Sequence, residues 1–265
     1  MQSTDVQFAR PPVRRVVLTV FFRPVRNLKV TDLARLRESW REDYPVVNEL
    51  APQPPRAGDS DDDFVLVPDE SPWPFPHVRF ASKTGDKGVG IQRDRFAIRW
   101  DFAPDDSGEQ PQYPGYNELR RELGRLFEFF VATVQQETGS QIAPVASECR
   151  YKNVITGISA GDHLIGLYTN WKITSEAAAV DQADYLGARI HFCASKDNDN
   201  CSILVGVDGE GSADGHKFFL EVETDPADEE AAHNLGGLDR AHDQLIRYFL
   251  KSTSDDLRAN WGERK

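Results

Sequence analysis

Six histidines, three cysteines and one glycine-rich acidic segment are the parts of this 265-residue chain best suited to chemistry. His77, His163, His191, His216, His233 and His242 form no HxH, HExxH or mixed Cys/His cluster, the spacings that put zinc ligands on one loop or one helix face. The sequence therefore predicts no metal site and no cofactor. His242 follows Asp239 by one helical turn, which is too little for a catalytic pair. Cys193 and Cys201 flank a polar stretch that reads as a hairpin loop, so their strands run side by side. Cys193 and Cys201 have no local basic neighbour to activate a thiolate apart from His191, and Cys149, beside Arg150, is a slightly better but still poor nucleophile candidate. Residues 205–215 are rich in Gly and Asp but lack the GK[ST] of a phosphate loop. The sixth position counted from Asp208 is Ala213, where a calcium loop needs Gly. Ser159-Ala160-Gly161 reads as a turn. No catalytic residue is assigned, and the sequence leans away from an enzyme.

The elements around these residues follow from hydrophobic periodicity. Pro11-Pro12 forbids helix, and residues 13–22 then read as a strand with apolar side chains on both faces, the mark of a buried strand. Leu33, Leu36 and Trp40 make the stripe of a helix starting at Thr31-Asp32 and running to about residue 42. Strands are predicted over 78–83, 89–93 and 96–102, the last with Phe96, Ile98, Trp100 and Phe102 on one face. A long helix spans 116–138 and stops at Gly139. Strands follow over 142–155, 164–173, 183–194, 203–207 and 217–223, with a short helix over 175–182 and an amphipathic helix over 238–253.

The order β-α-β-β-β-α thus occurs twice. Residues 96–104 align with 218–226 without gaps, and the same offset pairs Leu123 with Leu245 and Phe127 with Phe249. The fold class expected is α+β, built from two related β-α-β-β-β-α halves, residues 1–158 and 159–265. Each half pairs an antiparallel sheet with one long amphipathic helix, and the sheets lie side by side or fuse into one. Duplication creates matching faces, so a homodimer is expected.

Charge is unevenly spread. Residues 1–41 carry nine basic and three acidic side chains, net +6 in a chain of −12, so the remaining 224 residues carry −18. An acidic body repels phosphate backbones, which disfavours nucleic-acid binding except through the basic start. Arg14, Arg15 and Arg23 are the candidate docking residues there, unless the acidic body neutralises them internally. Residues 51–76 form a long loop that holds seven of the sixteen prolines and the cluster Asp59, Asp61, Asp62 and Asp63. Trp73 and Phe75 in its Pro-rich end are either an exposed latch for a partner or a strap over the chain's own core. No apolar run approaches the roughly 18–20 residues of a membrane-spanning helix, and the start of the chain has no signal-peptide pattern. A cytoplasmic location and no membrane partner are expected.

These residues resemble an uncharacterised, sporadically distributed bacterial family of similar chain length. The resemblance is carried, in order, by Arg10-Pro11-Pro12 before the Val-rich strand, 94–101, Tyr113-Pro114-Gly115-Tyr116, Tyr151-Lys152-Asn153-Val154-Ile155, 241–249 and Trp261-Gly262. The family brings no catalytic residues with it. Its sporadic distribution implies a mobile system such as antiviral defence or toxin control. The expected function is a non-enzymatic binding protein, an accessory subunit of such a multi-gene system, with a protein partner or a second copy of itself. The alternative is a small-molecule sensor or enzyme with its site between the halves.

Overall fold

A computed structural model describes residues 7–54, 75–102, 113–169, 171, 186–196, 199–209, 215–224 and 235–264. Nine strands form one antiparallel sheet in the order β3-β4-β5-β6-β2-β7-β10-β9-β8 once the strands are numbered along the chain as below. The fold is α+β. The strand after Pro11-Pro12, β2 (Val13–Phe22), holds the central place in that order, as its apolar residues on both faces predict. A separate two-stranded ribbon joins β1 (Gln7–Phe8) to β11 (Glu263–Arg264). The chain divides into two compact units, residues 18–145 and residues 1–17 with 146–265. The expected halves part at 158/159 instead, and an internal duplication is not shown.

In the unit of residues 18–145, Asp32 accepts a hydrogen bond from the Lys29 amide at 2.8 Å and opens a 3-10 turn, Val30–Leu33. The turn passes into α1 (Ala34–Ser39). The helix is therefore shorter than predicted and stops at Trp40, but Leu33, Leu36 and Trp40 are buried as the stripe requires. A strand the periodicity does not announce, β3 (Val46–Leu50), follows. β4 (His77–Ala81), β5 (Lys87–Gln92) and β6 (Arg95–Asp101) form an antiparallel meander, with Val89 opposite Ile98 and Ile91 opposite Phe96. α2 (Tyr116–Thr138) ends at Gly139, whose φ of +72° suits a residue without Cβ. Its buried stripe, Leu119, Leu123, Leu126, Phe127, Phe130 and Val134, lies over an aromatic core. Phe96 and Phe130 have ring centroids 5.2 Å apart, and Trp40 meets Phe80 edge-on at 5.3 Å.

In the other unit, β7 (Pro144–Thr156) pairs with β10 (Gly215–Thr224), which pairs with β9 (Asp199–Gly209), and β9 with β8 (Leu186–Lys196). The strand predicted over 164–173 is instead a helix, α3 (Ala160–Thr169). Ser159 Oγ accepts from the Asp162 amide at 3.0 Å, a helix start, and Gly166 lets the Trp171 ring close on the helix. A Cβ at position 166 would lie 2.3 Å from that ring. The predicted helix over 175–182 lies outside the described residues. α4 (Gly236–Lys251) buries Leu238, Ala241, Leu245 and Phe249, and Phe249 reaches Phe218 of β10 at 6.3 Å. A last short helix, α5 (Asp255–Asn260), is capped by Ser254, whose Oγ accepts from the Leu257 amide at 3.2 Å.

Candidate functional site

The structure sorts the basic side chains of residues 1–41 into engaged and free. Arg10 donates to the Asn260 carbonyl at 3.1 Å. Arg14 and Arg15, on β2, are half-buried and engaged by other groups of the fold. Arg35 bonds Gln136 and lies over the Phe129 ring at 5.5 Å. Arg23, Arg26, Arg37 and Arg41 are exposed, and their side chains have no partner among the described residues. Of the aromatic candidates, Trp73 lies outside the described residues. Phe75 is 7% exposed beneath the Arg93 guanidinium, 5.5 Å from its ring centre, the placement of a ring that covers its own core.

Arg37 and Arg41 share a place. They lie four residues apart, which brings both to one side of the α1 turn. With Ala34, Glu38, Tyr44 and Pro45 they line a cleft of about 400 Å³. Tyr44 is buried and also lines a second cleft of about 380 Å³, with Asp43, Lys87, Glu118, Arg121, Glu122 and Arg125. Its hydroxyl donates to Glu122, which also pairs with Lys87 Nζ at 3.0 Å. Burial, and then that carboxylate, push the Tyr44 hydroxyl far above the ordinary phenol range. Tyr44 is thus a fixed neutral wall. In the second cleft, three cations face three carboxylates, with Arg125 3.7 Å from Asp43. In the first, two unpaired guanidiniums face one carboxylate, so the free positive charge sits there.

Two polar clusters lie in the other unit. On β7 and β10, Arg150 is opposite Glu221 and Glu148 is opposite Glu223. Arg150 reaches Glu221 at 2.7 Å and Glu148 at 3.1 Å. Glu148 is 4% exposed, and burial, opposed by Arg150 and aided by Glu221 and Glu223, lifts its pKa to about 7. The second cluster is the pair His163 and His216, with ring nitrogens 2.5 Å apart. Cys149 is fully buried and contacts the Leu238 carbonyl at 3.7 Å, and burial raises its thiol pKa. It is not set up as a nucleophile. On β8 and β9, Cys201 is opposite Ala194, one position from Cys193. Among the described residues, no group of three or more His, Cys, Asp or Glu could hold a metal ion. None of the described helices is long and apolar enough to cross a membrane.

Sequence reasoning counted Arg37 and Arg41 as part of the basic start but did not single them out. The available signal was their i, i+4 spacing on the polar side of the Leu33, Leu36, Trp40 stripe. Nothing local marked Tyr44 and Glu122, 78 residues apart. No model of a known protein family matches the chain, and no curated protein matches it.

Proposed function

We propose that the protein is a non-enzymatic interaction protein, an accessory subunit that docks an acidic segment of a partner protein in the α1 cleft. The observation that carries this reading is the pair Arg37 and Arg41, exposed and unpaired in the wall of one cleft in a chain of net charge −12. The body's negative field is screened beyond about 8 Å at physiological ionic strength, so a short acidic segment is attracted once it reaches the cleft. Tyr44, locked on Glu122, gives the cleft a rigid floor, which limits the ordering cost of binding. The expected association is strongly salt-dependent.

The test uses a labelled Asp/Glu-rich peptide at low and high ionic strength, and native mass spectrometry of the protein taken from its own cells. Binding at low salt, its loss at high salt, and its loss in Arg37→Glu/Arg41→Glu are expected. A stoichiometric companion that leaves the same variant identifies the partner. No binding at low salt, or equal binding by the variant, overturns the reading.

The two units also read as related copies. Omitting β3, each runs strand, helix, three strands, helix, and in each the first strand lies beside the last and the second is outermost. Phe96 and Phe218, Leu123 and Leu245, and Phe127 and Phe249, each 122 residues apart, are all buried. These pairs support a duplication.

A further inference from the structure

We propose that β3 is a self-association edge, through which two copies of the chain pair antiparallel about Asn48. β3 stands at the end of the sheet order and, among the described residues, pairs only with β4, from Val46 opposite Ala81 to Leu50 opposite His77. No strand among the described residues covers its other side. Such an edge offers a row of backbone N–H and C=O groups to a second strand. Val46 and Leu50 are 43% and 45% exposed, two of the three large apolar side chains that stand out among the described residues. They are four residues apart on a strand, so they lie on one face with Asn48 between them. Pro45 and Pro52 bracket the strand and, lacking N–H, end any added ladder.

The window 46–51 selects its own partner. A two-fold axis normal to the sheet must set residues of the same face opposite each other. Centred on Asn48, it sets Val46 opposite Leu50 of the second copy, twice, and Glu49 opposite Val47. Apolar side chains meet and no like charges do. Centred on Glu49, it sets two carboxylates opposite each other. Centred on Val47, it runs Leu50 past Pro45 to face Tyr44. The Asn48 register is the one that pairs all five residues of Val46-Val47-Asn48-Glu49-Leu50 with one another and opposes no like charges. Five paired residues a side fall well below the roughly 1,200–2,000 Å² of a tight interface, so the dimer is weak and concentration-dependent. It opposes no charges, so salt leaves it intact. It is independent of the acidic-partner reading.

Asn48→Cys tests the register. In the proposed pairing two copies of position 48 face each other with Cα atoms about 4.5–5.5 Å apart, inside the range a disulfide bridges. Position 47 faces 49 and is out of reach of its own copy. Mild oxidation is expected to give a covalent dimer of Asn48→Cys and none of Val47→Cys or of the parent chain. Sedimentation equilibrium is expected to show a dimer that Val46→Lys/Leu50→Lys loses and Arg37→Glu/Arg41→Glu keeps. A parent chain that stays monomeric as its concentration rises, or equal cross-linking at 47 and 48, overturns the proposal.

Discussion

His163 Nδ1 lies 2.5 Å from His216 Nε2, and a third group fixes which ring donates. His163 Nε2 is 2.8 Å from the Ser252 carbonyl, which only accepts, so Nε2 carries a hydrogen. In the neutral ring Nδ1 is then an acceptor, and His216 Nε2–H donates to it. His216 Nδ1 is buried and makes no hydrogen bond of good geometry, and the Ile158 carbonyl is the polar group that acts on the ring from outside the pair. The chain of bonds ties α3, the start of β10 and the end of α4 together. Trp171 and Phe218 pack on the His163 ring, at 5.6 and 4.8 Å.

Acid should weaken the contribution of this pair. Burial lowers the His163 pKa from 6.5 to about 4, with His216 as a further lowering charge and the Ser252 carbonyl opposing. Burial lowers His216 too, against the pull of the Ile158 carbonyl. The folded pKa lies below the unfolded one, so the unfolded chain binds more protons between the two. Stability is full above pH 6.5 and falls as pH drops towards 4, by on the order of 3 kcal/mol. Urea denaturation at pH 7 and pH 5 measures it. In His216→Leu the slope should shrink, and stability at pH 7 should fall by about 1–3 kcal/mol because His163 Nδ1 loses its donor. An unchanged pH slope in that variant would show that the pair is not buried neutral.

Glu148 works in the opposite direction. Its folded pKa of about 7 lies above the ordinary 4.5, so the folded state holds the proton more tightly. The linked stability is full below pH 4.5 and lost as pH rises through 7. Glu148→Gln keeps a neutral hydrogen-bonding side chain at every pH. The variant should gain on the parent as pH rises from 6 to 8.5, by about 1–3 kcal/mol. Denaturation midpoints at the two pH values decide it. A parallel loss at both would mean that the contact of the ionised carboxylate with Arg150 dominates. The two effects oppose each other between pH 4.5 and 6.5, and above pH 6.5 only the Glu148 loss remains.

The sequence was most informative where one element controls its own pattern. β6 and α2 bury apolar residues with a clean period and β2 is apolar on both faces, and their places follow from these patterns. α3 did not read as a helix, because Leu164-Ile165-Gly166-Leu167 is an apolar run and glycine weakens a helix. What makes it helical is the Ser159 cap and the Trp171 ring seated over Gly166. β3 did not read as a strand because four of its five residues are exposed, so no alternation arises. The polar clusters were hidden for a different reason. His163 and His216 are 53 residues apart, and Glu148 and Glu221 meet only through strand register. The charge asymmetry was visible, but which arginines are engaged is decided by tertiary contacts.

Gly166→Ala tests the seating of Trp171. The added methyl would meet the Trp171 ring at 2.3–2.6 Å, so the ring or the helix must move. Trp171 sits at a φ of +59°, a conformation rare outside glycine, and its Nε1 donates to the Lys251 carbonyl at 3.4 Å. It has little freedom to retreat. A loss of about 1–3 kcal/mol is expected from overpacking, although alanine is intrinsically the better helix former. Gly166→Ala/Trp171→Ala should lose less than the two single losses added, since the clash disappears with the ring. Additive losses in that double-mutant cycle would place the effect elsewhere.

Tyr44→Phe tests the wall shared by the two clefts. It removes one buried hydroxyl and leaves the ring in place. Glu122 keeps Lys87 at 3.0 Å, so its charge stays compensated and the chain should fold, at a cost of about 1 kcal/mol. Freed from Tyr44, the Glu122 carboxylate gains room to turn towards solvent, and the wall beside Arg37 and Arg41 loosens. The acidic peptide should then bind less tightly at low ionic strength, mainly through faster dissociation, while Arg37 and Arg41 still supply the encounter. Stopped-flow association and dissociation rates separate the two. A variant that dissociates as slowly as the parent would show that Tyr44 holds the fold and has no part in the cleft.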